Sequence, residues 1–112
     1  MVGAANVFNI TAPNAPNSWT FIYPDSHWFP TAEEDPSLTL LRGQTYYFVI
    51  NASGHPFEIR NTSGGTAWST GVTNNTTAVG TIIFKVPMTM SDTSLAYQCT
   101  SHPNMEGSIT II

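Results

Sequence analysis

An all-β fold, a Greek-key sandwich or barrel of about seven or eight strands, is predicted by three features of the sequence. Short runs of β-branched and aromatic residues are separated by Gly, Pro, Asn and Ser, as strands are separated by turns. No stretch of useful length has the apolar period of an amphipathic helix. The spacing of the runs is typical of antiparallel sandwiches and barrels, so we expect mainly antiparallel pairing.

The individual strands follow from runs that end at turn-forming residues. Pro24 and Pro87 close two of them, and the turns RGQ and ASG bracket the most strand-like run, TYYFVIN. In order along the chain, the predicted strands are ANVFNIT, SWTFIYP, SLTLL, TYYFVIN, HPFEIRN, TIIFKV, SLAYQC and GSITII.

Two stretches are predicted to be irregular. Residues 25–36 carry prolines and the acidic cluster Glu33, Glu34 and Asp35, which indicates a long connection with room for one helical turn. We expect the cluster to be solvated, although a basic partner protein would make it a docking patch. Residues 61–80 are rich in turn formers and predict a loop with a short strand near Trp68.

The bulk composition limits the kind of molecule. A length of 112 residues suits a single domain, residues 1–112. The net charge of −4, with three Lys plus Arg, argues against a nucleic-acid partner. No apolar run has the length of a membrane span, and one cysteine makes no internal disulfide. We expect a monomer. The first ten residues lack the features of a signal peptide, so either the chain is not exported by that route or a leader has been removed.

A candidate metal site lies near the carboxyl end, in the stretch YQCTSHPNMEG. Cys99 ends a predicted strand, and His102 and Met105 follow it at intervals of three residues, before the last strand begins. A loop can turn all three side chains toward one point, whereas a strand would alternate them between two faces. His55, which follows a glycine turn in SGHPFEI, is the candidate fourth donor.

This donor set is soft and mixed. Two imidazoles and a thiolate with a weak axial thioether suit copper in both oxidation states. The four donors leave no open position for a substrate, which argues against an enzyme. Taken singly, each residue has a simpler interpretation: a lone cysteine is usually a small buried apolar residue, and methionine often fills a core. Met105 is therefore the weakest member of the set.

Several other residues are assigned to packing rather than to a site. His27 is expected to pack with Trp28 and Phe29 or to be solvated. Met88 and Met90 lack the metal-like spacing and are interpreted as packing or surface residues. The remaining residues in this group are expected in the core or on a sheet face rather than along an electron path; they are Trp19, Trp28, Trp68, Tyr46 and Tyr47.

The stretches GHPFEI, TIIFKVP and YQCTSHPNMEGSITI together resemble the cupredoxins, the family of small blue-copper proteins. The spacing of Cys, His and Met resembles the short ligand loop of the amicyanin-like members. The resemblance implies one copper ion with His55, Cys99 and His102 as equatorial ligands and Met105 as the axial ligand. It also implies a one-electron carrier whose redox partner docks near His102.

A weaker resemblance is to cupredoxin-like modules of cyanophage and other viral proteins, which have similar carboxyl-terminal stretches. Two alternatives to the electron carrier therefore stay open. The same site could store or deliver copper without a redox partner. The domain could instead be a structural part of a viral protein, in which any metal stabilises the fold.

One position departs from the family pattern. Many cupredoxins have Asn after the first histidine ligand, where its N–H points at the cysteine sulfur and its side chain ties the two ligand segments together. Here the residue is Pro56, which has no N–H. We expect the loss of that hydrogen bond to leave more charge on the sulfur and to lower the reduction potential. Asn51 is a less favoured candidate for the tying role.

Overall fold

The computed structural model describes residues 6–22 and 32–112, which form ten strands and no α-helix. Over this part of the chain, no helix has the length and hydropathy needed to cross a membrane. The strands are β1 (Val7–Thr11), β2 (Thr20–Ile22), β3 (Glu33–Glu34), β4 (Leu38–Leu40), β5 (Thr45–Asn51), β6 (Phe57–Arg60), β7 (Val72–Thr73), β8 (Val79–Lys85), β9 (Ser94–Cys99) and β10 (Glu106–Ile111).

The strands form two sheets, which confirms the predicted all-β sandwich. The larger sheet has the order β3-β2-β1-β5-β8-β7, and the smaller has the order β4-β10-β9-β6. Pairing is antiparallel except between β1 and β5 and between β4 and β10, which are parallel. The expectation of mainly antiparallel pairing is therefore confirmed. The two parallel pairs were not predicted individually, because alternation of buried and exposed residues is the same in both kinds of ladder.

All eight predicted strands are present, and two strands of two residues each are added. Glu33–Glu34 pairs with β2, and Val72–Thr73 pairs with β8. The short strand expected near Trp68 is thus a few residues later, while Ala67 forms an isolated bridge with Arg60. Residues 32–36 contain no helical turn; the rest of the predicted connection, with His27 and Trp28, lies outside the described residues.

The acidic cluster has a structural role that the sequence did not suggest. Glu34 is exposed, yet its carboxylate accepts hydrogen bonds from Asn14 (2.8 Å), Ser18 (2.5 Å) and Thr20 (2.8 Å). Burial alone would raise the pKa of Glu34, but the bonds from Ser18, Asn14 and Thr20 together lower it. The cluster therefore fastens the connection between β1 and β2 rather than forming a free acidic loop.

The core is aromatic and centres on Phe57. The ring of Phe57 lies 5.0 Å from Trp19, 5.2 Å from Tyr97 and 5.8 Å from Phe48, measured between centroids. These side chains come from both sheets and are fully buried. Phe57 is the first residue of β6, so these aromatic contacts lie next to the segment that carries His55.

The residues that the sequence assigned to packing differ in their exposure. Trp19, Tyr46 and Met90 are buried, whereas Tyr47 and Met88 are exposed. Trp68 is partly buried against the core.

Candidate metal centre

The pairing of β6 with β9 brings the two predicted ligand segments together. Phe57 lies directly opposite Cys99 in this antiparallel ladder. One residue further out, the Thr100 N–H donates a hydrogen bond of 3.1 Å to the carbonyl of Pro56. His55 precedes Pro56, so the main chain alone holds it close to Cys99.

A tight turn orients His55. The His55 N–H donates a 2.8 Å hydrogen bond to the carbonyl of Ala52, which closes a four-residue turn. Gly54 occupies the turn with φ of +85°, a conformation that glycine adopts without the steric cost other residues incur. The sequence ASGH therefore reverses the chain between β5 and β6 and presents the imidazole at the end of the sandwich.

The segment between β9 and β10 is a compact loop closed by its own main chain. The Cys99 N–H donates to the carbonyl of Met105 (2.9 Å), and the Met105 N–H donates to the carbonyl of His102 (3.0 Å). Gln98 and Glu106 are paired where the strands begin to diverge. This confirms the hairpin-like loop predicted from the sequence, and it allows Cys99 and His102 to face the same point.

Three of the predicted ligands meet at this end of the fold. Donor atoms of His55, Cys99 and His102 all lie within 4.8 Å of one another. The Nδ1 atoms of His55 and His102 are 3.2 Å apart, and Nδ1 of His102 is 3.6 Å from Sγ of Cys99. Two imidazole lone pairs at this distance repel unless a proton or a cation lies between them.

These distances fit a single bound ion. In zinc sites, bonds of about 2.0–2.1 Å to nitrogen and about 2.3 Å to sulfur, at tetrahedral angles, separate two nitrogens by about 3.3 Å and nitrogen from sulfur by about 3.6 Å. The corresponding separations here are 3.2 Å and 3.6 Å. His102 thus lies at metal-ligating separations from both other donors, and all three residues have donor atoms within 4.8 Å of one another.

The site lies at the boundary between core and solvent. The Cys99 side chain is 1 % exposed and Met105 is 0 % exposed, whereas both imidazoles are half-buried. The carbonyl of Met105 accepts hydrogen bonds from Cys99 N and, at 3.0 Å, from the indole Nε1 of Trp19. Met105 therefore closes the loop from the core side, and its thioether as an axial ligand stays a prediction.

Two contacts at the site were not apparent from the sequence. The tie between the ligand segments is the main-chain bond from Thr100 to Pro56. Asn51, considered for that role, is exposed and makes no side-chain hydrogen bond to the described residues. The bond from Trp19 to Met105 joins residues 86 positions apart. A buried tryptophan N–H usually has a partner, but the sequence does not reveal which one.

Asp35 is an acidic residue bonded to Trp19, whose indole contacts Met105. Its carboxylate accepts a 2.8 Å hydrogen bond from Trp19 N, and its own N–H donates to the Trp19 carbonyl at 2.9 Å. Burial raises the pKa of Asp35 to about 6; the Trp19 bond opposes this rise, and the charges of Glu106 and Glu34 add to it. Burial, followed by the charges of Asp35 and Glu106, raises the pKa of Tyr97. The Tyr97 hydroxyl donates to a carbonyl at 2.6 Å.

The architecture is similar to that of several solved structures, among them rusticyanin, a purple cupredoxin and amicyanin. Rusticyanin from Thiobacillus ferrooxidans is 17% identical with a TM-score of 0.56, over 95% of this chain and 76% of that one. A purple cupredoxin from Nitrosopumilus maritimus is 16% identical with a TM-score of 0.55, over 93% and 98% of the two chains. A reduced amicyanin variant is 17% identical with a TM-score of 0.51, over 100% and 86%.

Sequence comparisons add nothing to this structural likeness. No protein-family model matches the chain, and no curated protein matches it. The structural matches show that the chain has the cupredoxin fold.

The raised pKa of Asp35 predicts a pH-dependent contribution to stability. Its ordinary value is 3.8 and its folded value is about 6, so between these limits the native state binds a proton that the unfolded chain has lost. The contribution of Asp35 to the free energy of unfolding therefore falls as the pH rises from about 4 to about 6. We expect Asp35→Asn to gain stability relative to the parent over that range, measured by urea denaturation.

The matched control is Asp92→Asn, the same substitution at an exposed position. A stability difference between Asp35→Asn and the parent that stays constant from pH 4 to pH 7 would contradict the assignment.

Proposed function

We propose that the chain uses its cupredoxin fold to bind one copper ion and to carry single electrons between redox proteins. The supporting observation is the spacing of the donors: Nδ1 of His102 lies 3.2 Å from Nδ1 of His55 and 3.6 Å from Sγ of Cys99, and the donor atoms of the three residues lie within 4.8 Å of one another. We place His55, Cys99 and His102 as equatorial ligands and Met105 as the axial ligand.

Copper is favoured by the chemistry of the donors. A thiolate and two imidazoles with a weak thioether bind both Cu(I) and Cu(II), whereas the oxygen-rich sites of magnesium and calcium share none of these donors. The metal would supply the one-electron couple. The chain's residues would hold the same donor positions in both oxidation states, which keeps structural reorganisation small.

Electron exchange is proposed to occur at His102. Both histidines direct Nδ1 toward the other donors, which leaves the opposite Nε2 edges for solvent. His102 is half-buried and is followed by the exposed Pro103, so a partner docked on this end of the sandwich would contact the ring edge. Four protein donors leave no position for a substrate, which favours a carrier over an enzyme.

Copper addition tests the proposal directly. Cu(II) added to the metal-free protein is expected to give an intense visible thiolate-to-copper absorption band at one equivalent, and Cys99→Ala is expected to abolish it because the thiolate is lost. Reversible cycling at an electrode is the further result expected of a carrier. A protein that binds Cu(II) without the visible band, or that releases the metal on reduction, would contradict the proposal.

The axial role of Met105 predicts a change in reduction potential. Met105→Leu removes the weak thioether donor and leaves a side chain of similar size, so Cu(II) should be destabilised relative to Cu(I). We expect the potential to rise by on the order of 60 mV, a tenfold change in the one-electron equilibrium. Cyclic voltammetry measures the shift.

Met88→Leu is the matched control, because the Met88 side chain is 72% exposed. Equal potentials for Met105→Leu and Met88→Leu would remove Met105 from the ligand set.

Replacing Pro56 is also expected to raise the reduction potential, through the charge on the cysteine sulfur rather than through the axial donor. Pro56→Asn restores a main-chain N–H next to His55, and a hydrogen bond from it to the Cys99 sulfur would withdraw charge from the thiolate. The reduction potential is then expected to rise above that of the parent protein. An unchanged or lower potential in a variant that keeps the visible band would contradict this account of Pro56.

A further inference from the structure

Gln98 is a buried polar residue that the ligand set does not use. It precedes Cys99 on β9, and its side chain is 3 % exposed. Neighbouring residues of a strand point to opposite faces, so the side chain of Gln98 lies on the face of β9 opposite to that of Cys99. We propose that Gln98, held by Arg60, is a positioning residue that fixes the ligand loop around His102.

The amide of Gln98 connects three parts of the chain. Its Nε2 donates a 2.9 Å hydrogen bond to the carbonyl of Pro103, inside the ligand loop. Its Oε1 accepts bonds from Nη1 of Arg60 at 2.6 Å and from the Gly64 N–H at 2.8 Å. Both ends of the amide are therefore satisfied, as burial of such a group requires.

Arg60 is itself fixed in place. Its Nε is 2.7 Å from Oε1 of Glu58, and both side chains are largely buried, with 14% and 13% of their surfaces exposed. The other carboxylate oxygen of Glu58 accepts a 2.5 Å hydrogen bond from Thr76. Glu58 and Arg60 belong to β6, the strand that begins just after His55. The network thus links the strand next to one histidine with the loop that carries the other.

The hydrogen bond from Gln98 reaches the ligand loop at Pro103. Proline has no N–H and a fixed φ, so the carbonyl is the hydrogen-bonding group that Pro103 contributes. Holding this carbonyl fixes the peptide between Pro103 and Asn104, one residue beyond His102, and so limits how far the main chain that carries the imidazole can move. Outer contacts of this kind orient metal ligands and commonly change metal affinity by 10–100-fold.

The metal-binding consequence rests on the proposed function, whereas the ordering of the loop does not. Both are tested with Gln98→Glu, which keeps the size of the side chain and an acceptor for Arg60 and Gly64, but replaces the donor to Pro103 with an oxygen. Gln44→Glu makes the same change in charge at an exposed position and is the matched control.

Two measurements are compared between these variants. In the metal-free protein, hydrogen exchange of the Met105 amide reports the loop, because this N–H is bonded to the His102 carbonyl. With copper, competition against a chelator reports affinity. Gln98→Glu is expected to speed exchange at Met105 at least tenfold, without an equal change in the amides of β5, and to weaken copper binding about tenfold or more. Gln44→Glu is expected to change both by less than twofold.

Wild-type exchange at Met105 in Gln98→Glu would overturn the proposal, as would an equal acceleration in β5, which indicates general destabilisation. If Gln98→Glu does not fold, Gln98→Met, which keeps the length and removes the donor, is judged by the same criteria. If the wild-type protein binds no copper, the proposed function fails, and exchange at Met105 still decides the role of Gln98.

Discussion

The antiparallel pairing of Phe57 with Cys99 is the constraint that brings the His55 segment beside the strand from which the ligand loop extends. This register puts Thr100 opposite Pro56, where the main chain itself ties the two ligand segments. A slip of one residue would move Cys99 to the other face of its sheet and separate its sulfur from the imidazoles. The pairing is held by the aromatic core, because Phe57 packs between Trp19 and Tyr97. The geometry of the site therefore depends on the packing of the core.

Side chains on the two faces of β9 contact different parts of the site. Cys99 is buried on the core side, and its sulfur lies 3.6 Å from Nδ1 of His102. Gln98 lies on the other face, where its amide donates a hydrogen bond to the ligand loop. On the core side, Trp19 bonds the carbonyl of Met105. The loop is therefore held from both sides of the sheet by side chains outside it. A loop restrained in this way suits a metal that must change charge without changing its surroundings.

The sequence predicts most of the fold and the composition of the site. Strand runs such as TYYFVIN carry their own alternation of buried and exposed residues, and they predict β5 as the structure has it. The two-residue strands β3 and β7 are too short to show such a period. No local sequence pattern distinguishes a parallel from an antiparallel partner strand, so the parallel pairing of β1 with β5 was not predicted.

The same division applies to the site. The spacing of Cys99 and His102 indicates a metal-binding loop, and His55 supplies a donor from a separate turn. Trp19, which contacts the loop, is distant from it in sequence, and Gln98, which also contacts it, lies on the opposite face of β9 from Cys99. Their roles depend on tertiary contacts, which a single sequence does not encode in any short pattern.

We propose that one copper ion occupies the cluster formed by two imidazoles and one thiolate. X-ray absorption at the copper edge, recorded on the oxidised and the reduced protein, tests it most directly. We predict two nitrogen neighbours and one sulfur neighbour at bonding distance from the copper, with little change between the two oxidation states. A spectrum without a short copper–sulfur distance, or one in which a ligand is lost on reduction, would contradict it.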